Sequence, residues 1–206
     1  MNLKKVLFGL FPLACFAVQQ PARAMDGLLG MQLSSAREGT DFFRFFRLEP
    51  VGPVETNAQS SVHHFRPAAP AFHDLVRLDV ETDSADRISG LKLQVDRTFI
   101  ESPSAGVFAA DLAKSFLLAA GGAAEREALR SLADEIQFRD LGRPLLIRRD
   151  AARELPPAPS PGYLAYCGRR AEWTTSTPAV SFALRNAEPA GRRILLLEAD
   201  PVGKGD

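Results

Sequence analysis

Two stretches with a period of two, separated by a polar turn, give the clearest pattern in the chain. Leu75–Glu81 alternates, with Val76, Leu78 and Val80 on one face and Arg77, Asp79 and Glu81 on the other. Leu91–Asp96 alternates again, and Thr82–Arg87 between them is rich in Asp and Ser. This predicts an antiparallel hairpin with one dry face and one wet face. Asp79 and Glu81 are expected to face Lys92 across the pair.

A helical period follows. Ser102-Pro103 reads as a cap and a first-turn proline, Phe108, Leu112, Phe116 and Ala119 fall on one stripe, and Gly121-Gly122 ends the run. A second helix is predicted over Glu125–Phe138, with Leu129, Leu132, Ala133 and Ile136 as its apolar stripe and Arg130 and Asp134 as an exposed pair. The short Gly-Gly joint makes Pro103–Ala120 and Glu125–Phe138 an antiparallel helical hairpin. Further strands are expected at Asp41–Leu48, Pro144–Arg149, Gly162–Cys167, Ala179–Arg185 and Arg192–Ala199. In the first of these, Phe42 and Arg44 would project opposite to Phe43 and Phe45. Prolines at 50, 53, 67 and 70 predict a long irregular connection over residues 50–73, and four more place Leu155–Gly162 in an extended loop. Strands on both sides of the helical pair imply an α+β fold, an antiparallel sheet with the two-helix hairpin packed on one face, in a single domain of residues 25–206.

The first 24 residues have a different composition. Lys4 and Lys5 precede the apolar run Val6–Val18, and Ala22-Arg23-Ala24 offers small residues at the positions signal peptidase reads. Residues 1–24 are therefore expected to be a secretory signal peptide cleaved after Ala24, giving a periplasmic or extracellular bacterial protein. Thirteen helical residues rise only about 20 Å, too little to cross a bilayer, and Pro12 interrupts them. A lipoprotein anchored at Cys15 is the minority reading, because Pro12 stands where a lipobox needs Leu and the residues after Cys15 are still apolar. After cleavage no segment is apolar and long enough to span a membrane.

Removing this segment changes the charge. The 206-residue chain has 25 basic and 25 acidic side chains. Without Lys4, Lys5 and Arg23 the balance becomes mildly acidic, which excludes a strongly basic nucleic-acid binder. Acidic groups dominate residues 25–138 and basic groups residues 139–206. The two parts are expected to pack together and neutralise one another, with Arg148-Arg149, Arg169-Arg170 and Arg192-Arg193 not focused into an anion site.

Candidate chemistry is sparse. His63, His64 and His73 are the only histidines, and no zinc-site spacing accompanies them, so solvated loop positions are expected and no metal or cofactor is assigned. Asp79, Glu81, Asp83 and Asp86 begin like a calcium loop, but Ser84 and Gly90 occupy the turn-glycine and bidentate-glutamate positions. Lys114 and Ser115 diverge on a helix and form no dyad. Cys167 would be the lone cysteine of the mature chain, and with His73 it is the weak candidate for nucleophilic catalysis. Tyr163, Tyr166 and Trp173 could form an aromatic platform or close one end of a sheet. The favoured expectation is an exported, non-catalytic binding, inhibitory or envelope-interaction module with an unknown protein or envelope partner. The alternative is a small secreted hydrolase using Cys167 or carboxylates.

Overall fold

The structure, a computed structural model, describes residues 27–141 and 158–203. The expected signal peptide at residues 1–24 and the strand expected at Pro144–Arg149 lie outside the described residues. The helices are α1 Leu33–Gly39, α2 Asp41–Phe45, α3 Pro70–His73, α4 Arg97–Ile100, α5 Gly106–Ala120, α6 Ala123–Leu141 and α7 Pro161–Tyr166. The strands are β1 Leu48–Pro50, β2 Glu55–Thr56, β3 Ser60–Pro67, β4 Val76–Asp83, β5 Ile88–Asp96, β6 Glu172–Ser176, β7 Val180–Ala187 and β8 Ile194–Pro201.

All eight strands form one antiparallel sheet in the order β1-β3-β4-β5-β8-β7-β6, with β2 also on β3. Two meanders, β3-β4-β5 and β6-β7-β8, meet along the central β5–β8 pair. The alternation that predicts the hairpin also fixes its register, with Val80 opposite Leu91, Leu78 opposite Leu93 and Val76 opposite Val95. The same face continues through Leu195, Leu197 and Ala199 of β8 and Phe182 and Leu184 of β7. These side chains are buried with Phe42, Leu112, Phe116, Leu117, Leu129 and Ile136 from the helices in one apolar core. The fold is α+β, with the helical hairpin on one face of the sheet.

Several expectations are corrected. Asp41–Leu48 is not a strand: Asp41–Phe45 is helical, Phe42 and Phe43 are both buried, and Phe45 is 70% exposed. Adjacent buried phenylalanines contradict a period of two but suit a helix whose inner stripe is Phe42, Phe43 and Phe46. Gly162–Cys167 is likewise helical. Ser160 caps α7 by accepting from the Tyr163 amide at 3.1 Å, and Pro161 fills the first turn. Residues 50–73 are irregular only in part, because β3 runs through them with Pro67 at its end against the short edge strand β1. α5 begins at Gly106, since the chain first turns through Ser102, whose hydroxyl accepts from the Ala105 amide. On α6, Arg130 pairs with Glu127 at 3.1 Å rather than with Asp134.

Glycine is required at the helical joint. A Cβ on Gly121 would lie 2.3 Å from Glu125 Cβ, and one on Gly27 would lie 2.1 Å from the Gly121 carbonyl oxygen. This close approach lets the Leu28 and Leu29 amides donate to the Ala119 and Ala120 carbonyls at 2.8 and 3.0 Å. The start of the described chain is thereby pinned to the end of α5.

Candidate functional site

Three regions gather chemically capable side chains, and the first lies between α2 and α5. Leu28, Met31, Phe42, Phe46, Leu118 and Ala119 contribute apolar wall, and the cavity volume is about 940 Å³. That is within the roughly 300–1,000 Å³ of small-molecule sites. Hollows on the open sheet face and beside Cys167 measure about 550, 340 and 250 Å³. Phe42 stacks edge-on against Phe46 and Phe116, which fixes α2 against α5 at one wall. Phe45 also lines the groove and packs on Phe46 at 4.9 Å, yet is mostly exposed. The charged lining is Arg44, Lys114 and Arg126 against Asp41 and Asp111. Lys114 is committed elsewhere, donating to Gln137 Oε1 at 2.7 Å and lying 3.8 Å from Asp111.

The second region is the outer face of the sheet, where the wet side of the hairpin is not covered by a helix. His63 and His64 are not solvated loop residues: β3 turns His63 to Thr82, 3.2 Å away, and His64 to the outer face. His64 Nδ1 lies 2.8 Å from both Asp79 Oδ1 and Arg77 Nη2, and Nε2 lies 3.1 Å from Glu55 Oε1. With its proton on Nδ1 the ring donates to Asp79; with the proton on Nε2 it donates to Glu55 and accepts from Arg77. Asp79 also accepts from Arg77 Nε and Gln94 Nε2, so it is engaged with donors on three strands. Lys92 stands opposite Asp79 in register, but its ammonium pairs with Glu198 at 3.1 Å. Arg185 bridges Glu198 and Glu172, each at 2.7 Å; the hydrogen bond to Glu172, then the charge of Glu198, raises its pKa. Among the described residues no group of three or more His, Cys, Asp or Glu side chains is arranged to hold a metal.

The third region surrounds Cys167 at the end of α7. Its thiol faces the Leu164 carbonyl at 3.5 Å, and it lines a hollow with Arg97, Glu101, Ser102, Arg139 and Asp140. His73 ends α3, bonded through Nδ1 to the Pro67 carbonyl at 3.2 Å, and no bond joins it to Cys167. Tyr166 is fully buried, Tyr163 donates to Asp140 at 2.7 Å, and Trp173 packs on the core, so these aromatics close an end of the sheet. Burial, then the neighbouring Asp140, drives both tyrosine pKa values upward.

Arg97 underlies this region. It is 3% exposed and donates to the Tyr166 carbonyl at 2.6 Å, to the Ala165 carbonyl at 3.1 Å and to Asn186 Oδ1. It therefore satisfies the carbonyl end of α7 with a buried cation. Burial lowers its pKa, and the charge of Glu101 opposes that shift. Acidic groups of the first part and basic groups of the last part do pair in space: Arg192 bonds to Asp96, and Arg193 reaches Glu101 at 2.8 Å.

Neither the groove nor the buried Arg97 has a local sequence signal. The groove joins α2 to α5 across about seventy residues of chain, and its aromatic wall depends on reading Asp41–Phe46 as a helix. The fold and groove together define a two-layer α+β protein with helices on one face and an apolar groove between two of them. Comparison with protein-family models, curated proteins and solved structures finds no match to the chain. No helix among the described residues is long and apolar enough to cross a membrane.

Proposed function

We propose that this chain is an exported, non-catalytic binding module that takes its ligand or partner in the α2–α5 groove. One observation carries the reading: Phe45 is 70% exposed at a concave, largely apolar surface, where a folded protein gains nothing from leaving it in water. The walls are held by core packing through Phe42 and Phe116, so the groove needs no rearrangement to receive an occupant. Export rests on residues 1–24, and mass measurement of the N-terminus in an exporting host checks it: Met25 is the expected first residue, and an acylated Cys15 would refute it.

The binding reading is tested by incubating the processed protein with an envelope extract and identifying what it retains by native mass spectrometry. The wild type should retain a component that a Phe45→Asp variant, folded by circular dichroism, releases. Equal retention by both would place binding elsewhere. The hydrolase alternative is tested by Cys167→Ser and His73→Ala in a hydrolase activity screen; loss of an activity in either variant would favour it.

A further inference from the structure

We infer that the protein pairs with a second copy of itself through the free edge of β6, extending the sheet across a two-fold axis at Thr174. β6 ends the sheet. On its inner side the Ala171 carbonyl accepts from the Asn186 amide at 2.8 Å, and the Thr177 amide donates to the Val180 carbonyl at 2.9 Å. The antiparallel alternation therefore turns the main-chain groups of Trp173 and Thr175 towards β7 and those of Glu172, Thr174 and Ser176 to the open edge. Among the described residues the Glu172 carbonyl alone finds a partner there, Arg170 Nε at 2.7 Å. The edge carries none of the devices that blunt such edges: β6 has no proline, no lysine and no shift of register against β7. A five-residue strand whose central residue faces outward has the length and parity that two-fold pairing needs. Its side chains are also self-complementary. In an antiparallel pair centred on Thr174, that residue exchanges main-chain bonds with the partner's Thr174, and Glu172 lies opposite the partner's Ser176. The one charged side chain of the strand thus meets a hydroxyl, and its carboxylate stays on Arg185 at 2.7 Å. On the helix-side face Trp173 and Thr175, both half-buried within one copy, fall opposite each other across the axis, an aromatic against a β-branched residue.

The experiment is sedimentation equilibrium of the protein over a concentration series, with hydrogen exchange followed by NMR at both ends of it. A reversible dimer is expected, with a dissociation constant of about 10–100 µM because a strand-edge interface is smaller than a standard one. The Thr174 and Ser176 amides should be protected at high concentration and free at low. Thr174→Pro should be monomeric throughout: its amide faces the open edge, so the strand keeps its ladder with β7 while the dimer loses its central bonds. Thr174→Lys and Thr174→Glu change an exposed side chain, and each should weaken dimerisation about fivefold or more at low salt. Their equimolar mixture should restore it, because opposite charges then meet at the axis. A monomer at every concentration, with both amides exchanging freely, would overturn the inference. Protection of those amides in a monomer would overturn it in favour of an edge covered by the chain itself. A dimer that survives Thr174→Pro, or a mixture of the charged variants no tighter than either alone, would overturn it by placing the contact elsewhere.

Discussion

Replacing Arg97 by Met tests the buried polar framework beneath α7. The guanidinium is a cation in a 3%-exposed position whose three hydrogen-bond acceptors are neutral oxygens. Two effects oppose each other. Removing a buried charge relieves desolvation, and well-packed apolar replacements of buried ions are often neutral or stabilising. Against that, acceptors left without donors cost about 1–3 kcal/mol each. The Ala165 carbonyl keeps two donors, the Asn186 side-chain amide at 2.8 Å and the Gly168 amide at 3.1 Å. The Tyr166 carbonyl and Asn186 Oδ1 lose theirs, so two orphaned acceptors set the magnitude. The expected loss is about 2–4 kcal/mol after partial relief of desolvation. Arg97→Lys, which keeps the charge but can serve fewer acceptors, should lose about 1–2 kcal/mol. Urea unfolding followed by circular dichroism reads both, and at an m-value of about 2 kcal/mol/M the Met variant should shift the midpoint by about 1–2 M. A Met variant within about 0.5 kcal/mol of wild type would refute the claim that those acceptors depend on Arg97.

Asp96 should give stability an acid-sensitive component. Burial acts to raise its pKa, but hydrogen bonds from Thr98 and Arg192 outweigh it and hold the carboxyl below its ordinary value. Its contribution is therefore complete above the unfolded pKa of about 4 and is lost as pH falls through the folded value. Asp96→Asn should flatten that acid limb in urea titrations across pH while retaining the cap on α4, and Asp96→Ala should cost about 1 kcal/mol more through loss of the Thr98 amide contact. Gly121→Ala should destabilise by about 1–3 kcal/mol and lower Tm by about 3–10 °C in calorimetry, since its Cβ would displace Glu125, which accepts from Thr177 at 3.0 Å. Arg185→Ala should change stability by about 1 kcal/mol or less, and added salt should shrink even that, because its bridges lie on the open sheet face.

The parts legible in the sequence are those in which local pattern and tertiary burial agree. β4 and β5 show period-two alternation because one sheet face is dry and the other wet, and α6 shows a clear apolar stripe because it buries one side. The failures come from signals with two meanings. DFFRFF fits alternation by residue type only if Arg44 and Phe42 share a face, whereas Phe42 and Phe43 are both buried. Ser160-Pro161 carries the same start signal as Ser102-Pro103, but the proline-rich surroundings concealed a helix of only six residues. In β3, neighbouring histidines and flanking prolines masked a strand that buries Phe65 and Pro67. The groove is less legible still, because its two helices meet only in the fold. Had α2 been read as a helix, Phe45 would have fallen off the Phe42-Phe43-Phe46 stripe, which is the one sequence clue to its exposure.

The most direct test of the groove is where a bound ligand perturbs the protein. Amide chemical shifts of the isotopically labelled protein should be followed by NMR during titration with the component retained from the envelope extract. Saturable changes should cluster at groove-lining positions such as Phe42, Arg44, Phe46, Lys114, Ser115 and Leu118, and disappear in Phe45→Asp. Changes clustered instead on the outer sheet face around His64, Glu198 and Arg185, or beside Cys167, would contradict the account.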